Sequence, residues 1–255
     1  MFRSHIIAFF LLISCSSNQK GLKVIATPVP HAEILEAAKS ELENKGIDLI
    51  IIVTDDYNVP NRALADGEAD ANFFQHQPFL EAQKSSFHFP LEVLTAVELE
   101  PLGLYSKKIK SISDLKPKST VAIPNDPSNE ARALFLLQQA GLIELVNEKY
   151  PTLLNISSNP KQLSLIEIDA AMLPRALEDV DLAAINTNFA LEANLNPLED
   201  SLAIETTDSP YANVLVIRKG DENRADIQAL KVALTSEKMR EFLFEKYQGA
   251  ILPAW

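Results

Sequence analysis

Apolar positions along the chain recur with two alternating periods. Leu22 to Ala26 reads as a first strand, broken by Pro28 and Pro30. From His31 to Lys45 the apolar residues Ile34, Leu35, Ala38 and Leu42 fall on one helical face, and Gly46 stands where a helix stops. Ile47 to Val53 is a nearly continuous apolar run, as in a parallel strand covered on both faces. A short helix over Pro60 to Asp66, a strand over Ala69 to Phe74, a helix over Gln77 to Lys84 and a strand over Leu91 to Val97 follow. The first hundred residues thus predict β-α-β-α-β-α-β, a parallel sheet with helices on its faces.

The pattern then restarts. Strands are predicted at Leu102 to Tyr105, Val121 to Ile123, Leu165 to Ile168, Leu182 to Ile185 and Val214 to Arg218. Helices are predicted at Ile112 to Leu115, Asn129 to Ala140 and Ala171 to Leu177, with two more, Ala225 to Leu234 and Glu237 to Tyr247, closing the chain. No internal repeat or low-complexity linker separates the two units. They predict two lobes joined by strands crossing near Glu98 to Gly103 and Thr206 to Val214, with a cleft between them fit for a small ligand. The expected division is 21–100 with 219–255 for lobe I and 101–218 for lobe II.

Composition narrows the function. Apolar residues make up 47% of 255, enough for a substantial core. There are only seven glycines and no GxGxxG or GxxxxGK[ST] string, so nucleotide fingerprints are absent. A formal charge of −12 repels nucleic-acid phosphates, and no nucleic-acid partner is expected. No HExxH, CxxC or GxSxG string occurs, so no metal, no cofactor and no catalytic residue is predicted, and the protein is not read as an enzyme.

The single cysteine, Cys15, cannot form an internal disulfide, and its position carries the information. Arg3 precedes an apolar stretch from Ile6 to Ile13 that is too short to span a bilayer. Leu12-Ile13-Ser14-Cys15 then resembles a bacterial lipobox. On that reading residues 1–14 are a signal peptide, the Cys15 thiol is acylated and becomes the N-terminus, and 15–20 form a polar tether. Two or three acyl chains anchor stably where one does not. The expected location is the cell envelope, facing periplasm or exterior.

Four strand-to-helix junctions gather polar and aromatic residues, at the place where α/β sheets bind ligands. In Asp70-Ala71-Asn72-Phe73-Phe74-Gln75-His76-Gln77-Pro78, alternation sends one of Phe73 and Phe74 to the core and leaves the other for a ligand, while His76 suits either a structural or a pocket role. Ile123-Pro124-Asn125-Asp126-Pro127-Ser128-Asn129-Glu130-Ala131-Arg132 opens a helix capped by Ser128 or Asn129. Arg132 there opposes the helix dipole and asks for a reason: a ligand carboxylate held by its fork, or an ion pair with Glu130 or an outside acid. The third and fourth junctions are Ile185-Asn186-Thr187-Asn188 and Ser209-Pro210-Tyr211-Ala212-Asn213. Asparagine can serve both ends of a zwitterion, or simply a turn.

The strings ATPVPHAEIL, ALADGEADANFFQHQPFL, EPLGLYSKKIKSISDL, VAIPNDPSNEARALFLLQQAGLI, LPRALEDVDLAAINTNFALEANLNP and SPYANVLVIR resemble the methionine-binding lipoprotein family of the NlpA type, across nearly all of Leu22 to Trp255. The resemblance implies a two-lobed periplasmic-binding-protein fold of the second class, a monomer that binds methionine or a close analogue and serves an ABC permease and its ATPase. It implies that Tyr57, Phe74 and His76 line the side-chain pocket, that Arg132 and Asn129 take the carboxylate, that Asn186 and Asn213 fix the amino and carboxylate groups, and that Tyr211 helps close the cleft. Glu130 and Met172 depart from the family pattern. Competing readings are a surface lipoprotein for another small amino acid, peptide or host molecule, and a periplasmic enzyme on the same fold using His76.

Overall fold

The computed structural model describes residues 21–255. The expected signal peptide (1–14) and tether (15–20), Cys15 included, lie outside the described residues. The first lobe opens with β1 (Leu22–Ala26), a kinked turn (Pro28–Ala32), α1 (Glu33–Glu43), β2 (Leu49–Val53), α2 (Val59–Ala65), β3 (Ala71–His76), α3 (Gln77–Phe87) and β4 (Leu91–Leu99). The chain then crosses to β5 (Gly103–Tyr105), β6 (Thr120–Pro124), α4 (Pro127–Gln139), the short hairpin β7 (Glu144–Leu145) and β8 (Ile156–Ser158), β9 (Ser164–Ile168), α5 (Leu173–Ala176), β10 (Leu182–Ile185), α6 (Thr187–Glu192) and β11 (Ala203–Ile204). It returns through β12 (Ala212–Arg218), α7 (Ala225–Leu234), α8 (Glu237–Tyr247) and β13 (Leu252–Pro253).

Two sheets carry the lobes, one ordered β13-β4-β12-β3-β1-β2 and the other β11-β5-β10-β6-β9. β1 to β4 all run in one direction, as do β6, β9, β10 and β11. The predicted mostly parallel sheets are present. The strands that enter a sheet from a crossing, β5 and β12, run the other way. A chain leaving one sheet at its carboxyl edge and entering the next at that same edge must reverse. The two crossing legs therefore run antiparallel side by side: β4 pairs with β12 in one lobe and β5 with β11 in the other. Between these pairings Glu205 N–H donates to the Leu102 carbonyl at 3.0 Å.

Strand β12 corrects the expected boundary at 218/219. Its residues 214–217 are buried at the middle of the first sheet, between β3 and β4, so it does not belong with 101–218. Hydrophobicity alone could not assign it, because a strand covered on both faces looks alike in either lobe. The helix predicted over Ala171 to Leu177 begins instead as a 3-10 turn and becomes α5 at Leu173, since Pro174 is tolerated at a helix start but not in its interior.

Helices cover both faces of each sheet. The predicted stripe of α1 is buried with Leu230 of α7 and Leu243 of α8 against one face of the first sheet. Each such aliphatic side chain contributes about 1.5–3 kcal/mol by leaving water. On the opposite side Leu64 of α2 and Leu80 of α3 pack on Val214 and Val216. In the second lobe α4 lies on one face, through Leu134 and Leu137, and α5 and α6 on the other, through Leu173 and Phe189.

One polar network lies inside the first lobe. Asn61 of α2 accepts at Oδ1 from Asn72 Nδ2 (2.9 Å) and Gln75 Nε2 (2.6 Å) and donates from Nδ2 to Gln75 Oε1 (2.8 Å). It pins α2 to β3 directly behind the residues that face the second lobe.

Candidate functional site

A narrow cavity lies between the lobes. The first lobe supplies Tyr57 from the loop before α2, Phe74 and His76 from β3, and Phe79 from α3; the second supplies Asn129 and Arg132 from α4 and Asn186, Thr187 and Asn188 at the β10–α6 junction. Strand alternation decides between the two adjacent phenylalanines as expected: Phe73 joins the core of the first lobe while Phe74 faces the cavity. Tyr57 packs at 5.8 Å from both Phe74 and Phe79, which meet edge to face at 5.8 Å, and it reaches across to Phe189 at 5.0 Å. The result is an aromatic box.

Hydrogen bonds fix the polar half. His76 caps α3, its Nδ1 accepting from Phe79 N–H at 3.1 Å. The proton therefore sits on Nε2, which donates to Asn129 Oδ1 at 3.1 Å. Burial first, and the charge of Arg132 second, push the His76 pKa down to about 3, so the ring is neutral. The same Asn129 oxygen accepts from Asn186 Nδ2 at 2.9 Å, and Asn129 Nδ2 donates to Asp126 at 2.9 Å. Tyr57 Oη donates to Asn188 Oδ1 at 2.6 Å. Three buried polar atoms of the lining have no hydrogen-bond partner among the described residues, Asn186 Oδ1, Asn188 Nδ2 and His31 Nε2, the first two at the β10–α6 junction of the second lobe. Of those two, one is an acceptor and one a donor, and leaving such groups unpaired costs about 1–3 kcal/mol each.

Arg132 is buried, and its partner is an outside acid. Nε lies 2.9 and 3.0 Å from the two Glu205 oxygens, and Nη2 donates to Glu205 Oε2 and to the Glu100 carbonyl, both at 2.6 Å. Glu205 Oε2 also accepts from Leu102 N–H at 2.9 Å. Arg132 thus ties both crossing segments to α4. Nη1 takes no part in these bonds.

Tyr211 does not line the cavity; its ring stacks under the Arg132 guanidinium at 4.6 Å and meets His76 edge to face at 5.1 Å. The α4 cap is Asp126 rather than Ser128 or Asn129: its Oδ1 accepts from Asn129 N–H at 3.0 Å, and Pro127 fills the first helical position. Its carboxylate already occupies the helix start. Glu130 turns away from the cavity and accepts from Leu153 N–H at 3.0 Å. Met172 is exposed at a separate surface depression.

The remaining expected residues, Tyr57, Phe74, His76, Asn129, Arg132, Asn186 and Asn213, all line the cavity. Sequence reasoning missed Phe79, Gln75, Asn188, Thr187, His31 and Glu100. Asn188 belonged to a junction already singled out. His31 and Glu100 carried no local signal, being 69 positions apart. Glu100 Oε1 accepts from Asn213 Nδ2 at 2.8 Å. His31 Nε2 lies 3.2 Å from Glu100 Oε1 and 3.3 Å from Glu98 Oε1, within ion-pair reach of both carboxyl groups but hydrogen-bonded to neither. Among the described residues these three form one group of His and carboxylate donors within 4.8 Å of one another.

The family described as NlpA lipoprotein matches residues 22–255. A curated relative from Bacillus subtilis, the methionine-binding lipoprotein MetQ, is 41% identical over 95% of this chain and 93% of its own length. A nutrient-binding protein from Burkholderia cenocepacia, solved bound to methionine, superposes with a TM-score of 0.89 at 40% identity, covering 92% of this chain and all of its own. A periplasmic substrate-binding protein of an ABC transporter from Coxiella burnetii superposes with a TM-score of 0.89 at 44% identity, covering 91% of this chain and all of its own.

Proposed function

This chain belongs to the NlpA lipoprotein family, and from that premise we propose that it is the substrate-binding component of an ABC importer, capturing methionine between its lobes and delivering it to the permease. The observation that carries the reading is the cavity itself: an aromatic box beside an unpaired acceptor and an unpaired donor, the complement of a zwitterion with an unbranched apolar side chain. Tyr57, Phe74 and Phe79 hold the thioether, a contact of about 0.3–1.5 kcal/mol per ring. Asn186 receives the ammonium, while Asn188 and the Nη1 edge of Arg132 hold the carboxylate. Asn129 and His76 position these groups, because their own polar atoms are already bonded across the cleft. That same fixing, with both His76 nitrogens occupied, speaks against a proton-transfer role for the ring. We place one lobe over 21–99 with 212–255 and the other over 100–211, following the sheets.

Competition calorimetry on ligand-stripped protein tests the assignment. Methionine is expected at micromolar affinity or better, with glutamate and lysine at least about a hundredfold weaker, or roughly 2.7 kcal/mol, since a charged side chain would be desolvated among rings. Norleucine falls between. Equal binding of lysine and methionine would remove the pocket assignment.

The family name and the LISC string together support an anchor at Cys15 in the cell envelope. Among the described residues no helix is long and apolar enough to cross a membrane. The intact mass of detergent-extracted protein is expected to correspond to a chain starting at acylated Cys15. A mass matching an unmodified chain that starts at Met1 would sink this.

A further inference from the structure

Where the crossing segments pass beneath the cavity, the molecule buries more acid than base. Glu98, Glu100 and His31 are each at most 4% exposed. His31 offers one nitrogen, Nε2, to both carboxyl groups, while Nδ1 is engaged with Thr27 Oγ1 at 2.6 Å. Neither Glu98 oxygen has a hydrogen-bond partner among the described residues. The groups facing this cluster from other elements are Arg132 of α4, Asn213 of β12, Tyr57 before α2, and Tyr247 of α8. Arg132 is already paired with Glu205, and Tyr247 donates to Glu33. Among the described residues no uncommitted arginine or lysine faces the two carboxyl groups, and in so dry a place they cannot both ionise. Burial pushes Glu98 up to about 7 and Glu100 up to about 8, the latter raised further by the Glu98 charge, and burial pushes His31 down. The empty site therefore keeps a proton on the carboxyl pair, which titrates as one unit.

Glu100 also lines the cavity, together with Asn186, whose side-chain oxygen is unpaired. A ligand ammonium brings three donors and a full positive charge to that wall. We propose that Glu100 is the counter-ion for the ligand's ammonium and that docking of the ammonium expels a proton from the Glu98–Glu100–His31 cluster. The inference rests on the reading above that the occupant is an amino acid. The carboxyl O–H bond breaks with its electron pair staying on oxygen, and the proton passes to solvent before the lobes meet. The ligand keeps its three ammonium protons. One positive charge replaces another, so the buried cluster never carries two uncompensated negative charges.

The sign follows from linkage: the occupied site binds fewer protons than the empty one, so affinity rises with pH across about pH 6 to 8 and levels off above the raised carboxyl values. One released proton gives at most about a tenfold change per pH unit. Titration calorimetry of methionine into the mature protein near pH 7, in buffers of different ionisation enthalpy, counts the protons directly. The expected result is release of about half to one proton, with binding at least about tenfold tighter at pH 8 than at pH 6. Glu100→Gln, nearly isosteric, is expected to bind at least about tenfold more weakly and with no slope over that range. No proton release by the parent protein overturns the proposal, whatever the variant's folding, and so does a Glu100→Gln protein that keeps the slope. Methionine binding without proton release removes this inference alone; absence of binding by every amino acid removes the functional reading as well.

Discussion

Replacing Arg132 with alanine is expected to destabilise the protein by about 3–5 kcal/mol, in addition to weakening methionine binding by about 2–4 kcal/mol. The guanidinium is 3% exposed and its partner Glu205 only 11%, so the substitution strands a charge that water barely reaches. It also releases the Glu100 carbonyl and unseats the Tyr211 ring. A Coulombic gain is not the reason for the size of the effect, because forming such a pair required both groups to lose hydration. The loss comes from leaving one half behind. Adding Glu205→Gln to Arg132→Ala removes the stranded charge and is expected to recover part of the stability but not the affinity. Chemical denaturation and calorimetry on the single and double variants separate the two. Stability within about 1 kcal/mol of the parent for Arg132→Ala would show that the pair is dispensable to the fold.

Asn61→Ala should cost about 3 kcal/mol of stability, although Asn61 does not itself line the cavity. Its side chain serves both Asn72 and Gln75, and those amides are themselves buried. Truncation leaves at least two polar groups without partners, at about 1–3 kcal/mol each. Gln75 lines the cavity, so a smaller loss of methionine affinity accompanies the loss of stability. A lower denaturation midpoint with an unchanged slope is the expected signature. An unshifted midpoint would mean that water repairs the network.

Hydrophobic spacing alone located β1, α7 and α8 to the residue and the buried stripe of α1, because their apolar faces are long and regular. It could not give strand direction, since an apolar run reads the same in either sense, and so β5 and β12 were not recognised as reversed. β7, β11 and β13 have only two residues each, too few to show a period. At the site, Phe74 and the asparagine-rich junction were legible because each sits in a distinctive local string, whereas Tyr57 came only through the family resemblance. The α4 cap was misplaced at Ser128 or Asn129, although Pro127, a residue that favours the first helical position, pointed to Asp126 before it. The Arg132–Glu205 pair joins residues 73 positions apart, and nothing near Glu205 announces a buried acid. The same holds for His31 beside Glu98 and Glu100. Long-range electrostatics is written in the fold, and the sequence shows only the unexplained half: an arginine at the wrong end of a helix.

The antiparallel pairing of the two crossing legs has a mechanical meaning. A single covalent leg would act as a swivel and let one lobe turn freely against the other. Two legs hydrogen-bonded to each other on both sides, β4 with β12 and β5 with β11, behave as a ribbon. A ribbon flexes readily out of its own plane and resists shear and torsion within it, because those motions would slide one hydrogen-bonded leg past the other. The clamp of Arg132 on Glu205 and Glu100 stiffens the same strip. Such a pairing favours hinge bending over torsion, and the contacts of Tyr57 with Asn188 and of His76 with Asn129 are those that a hinge would make and break. Closing then needs no search over orientations, and whatever occupies the cavity meets both walls in a single preset alignment.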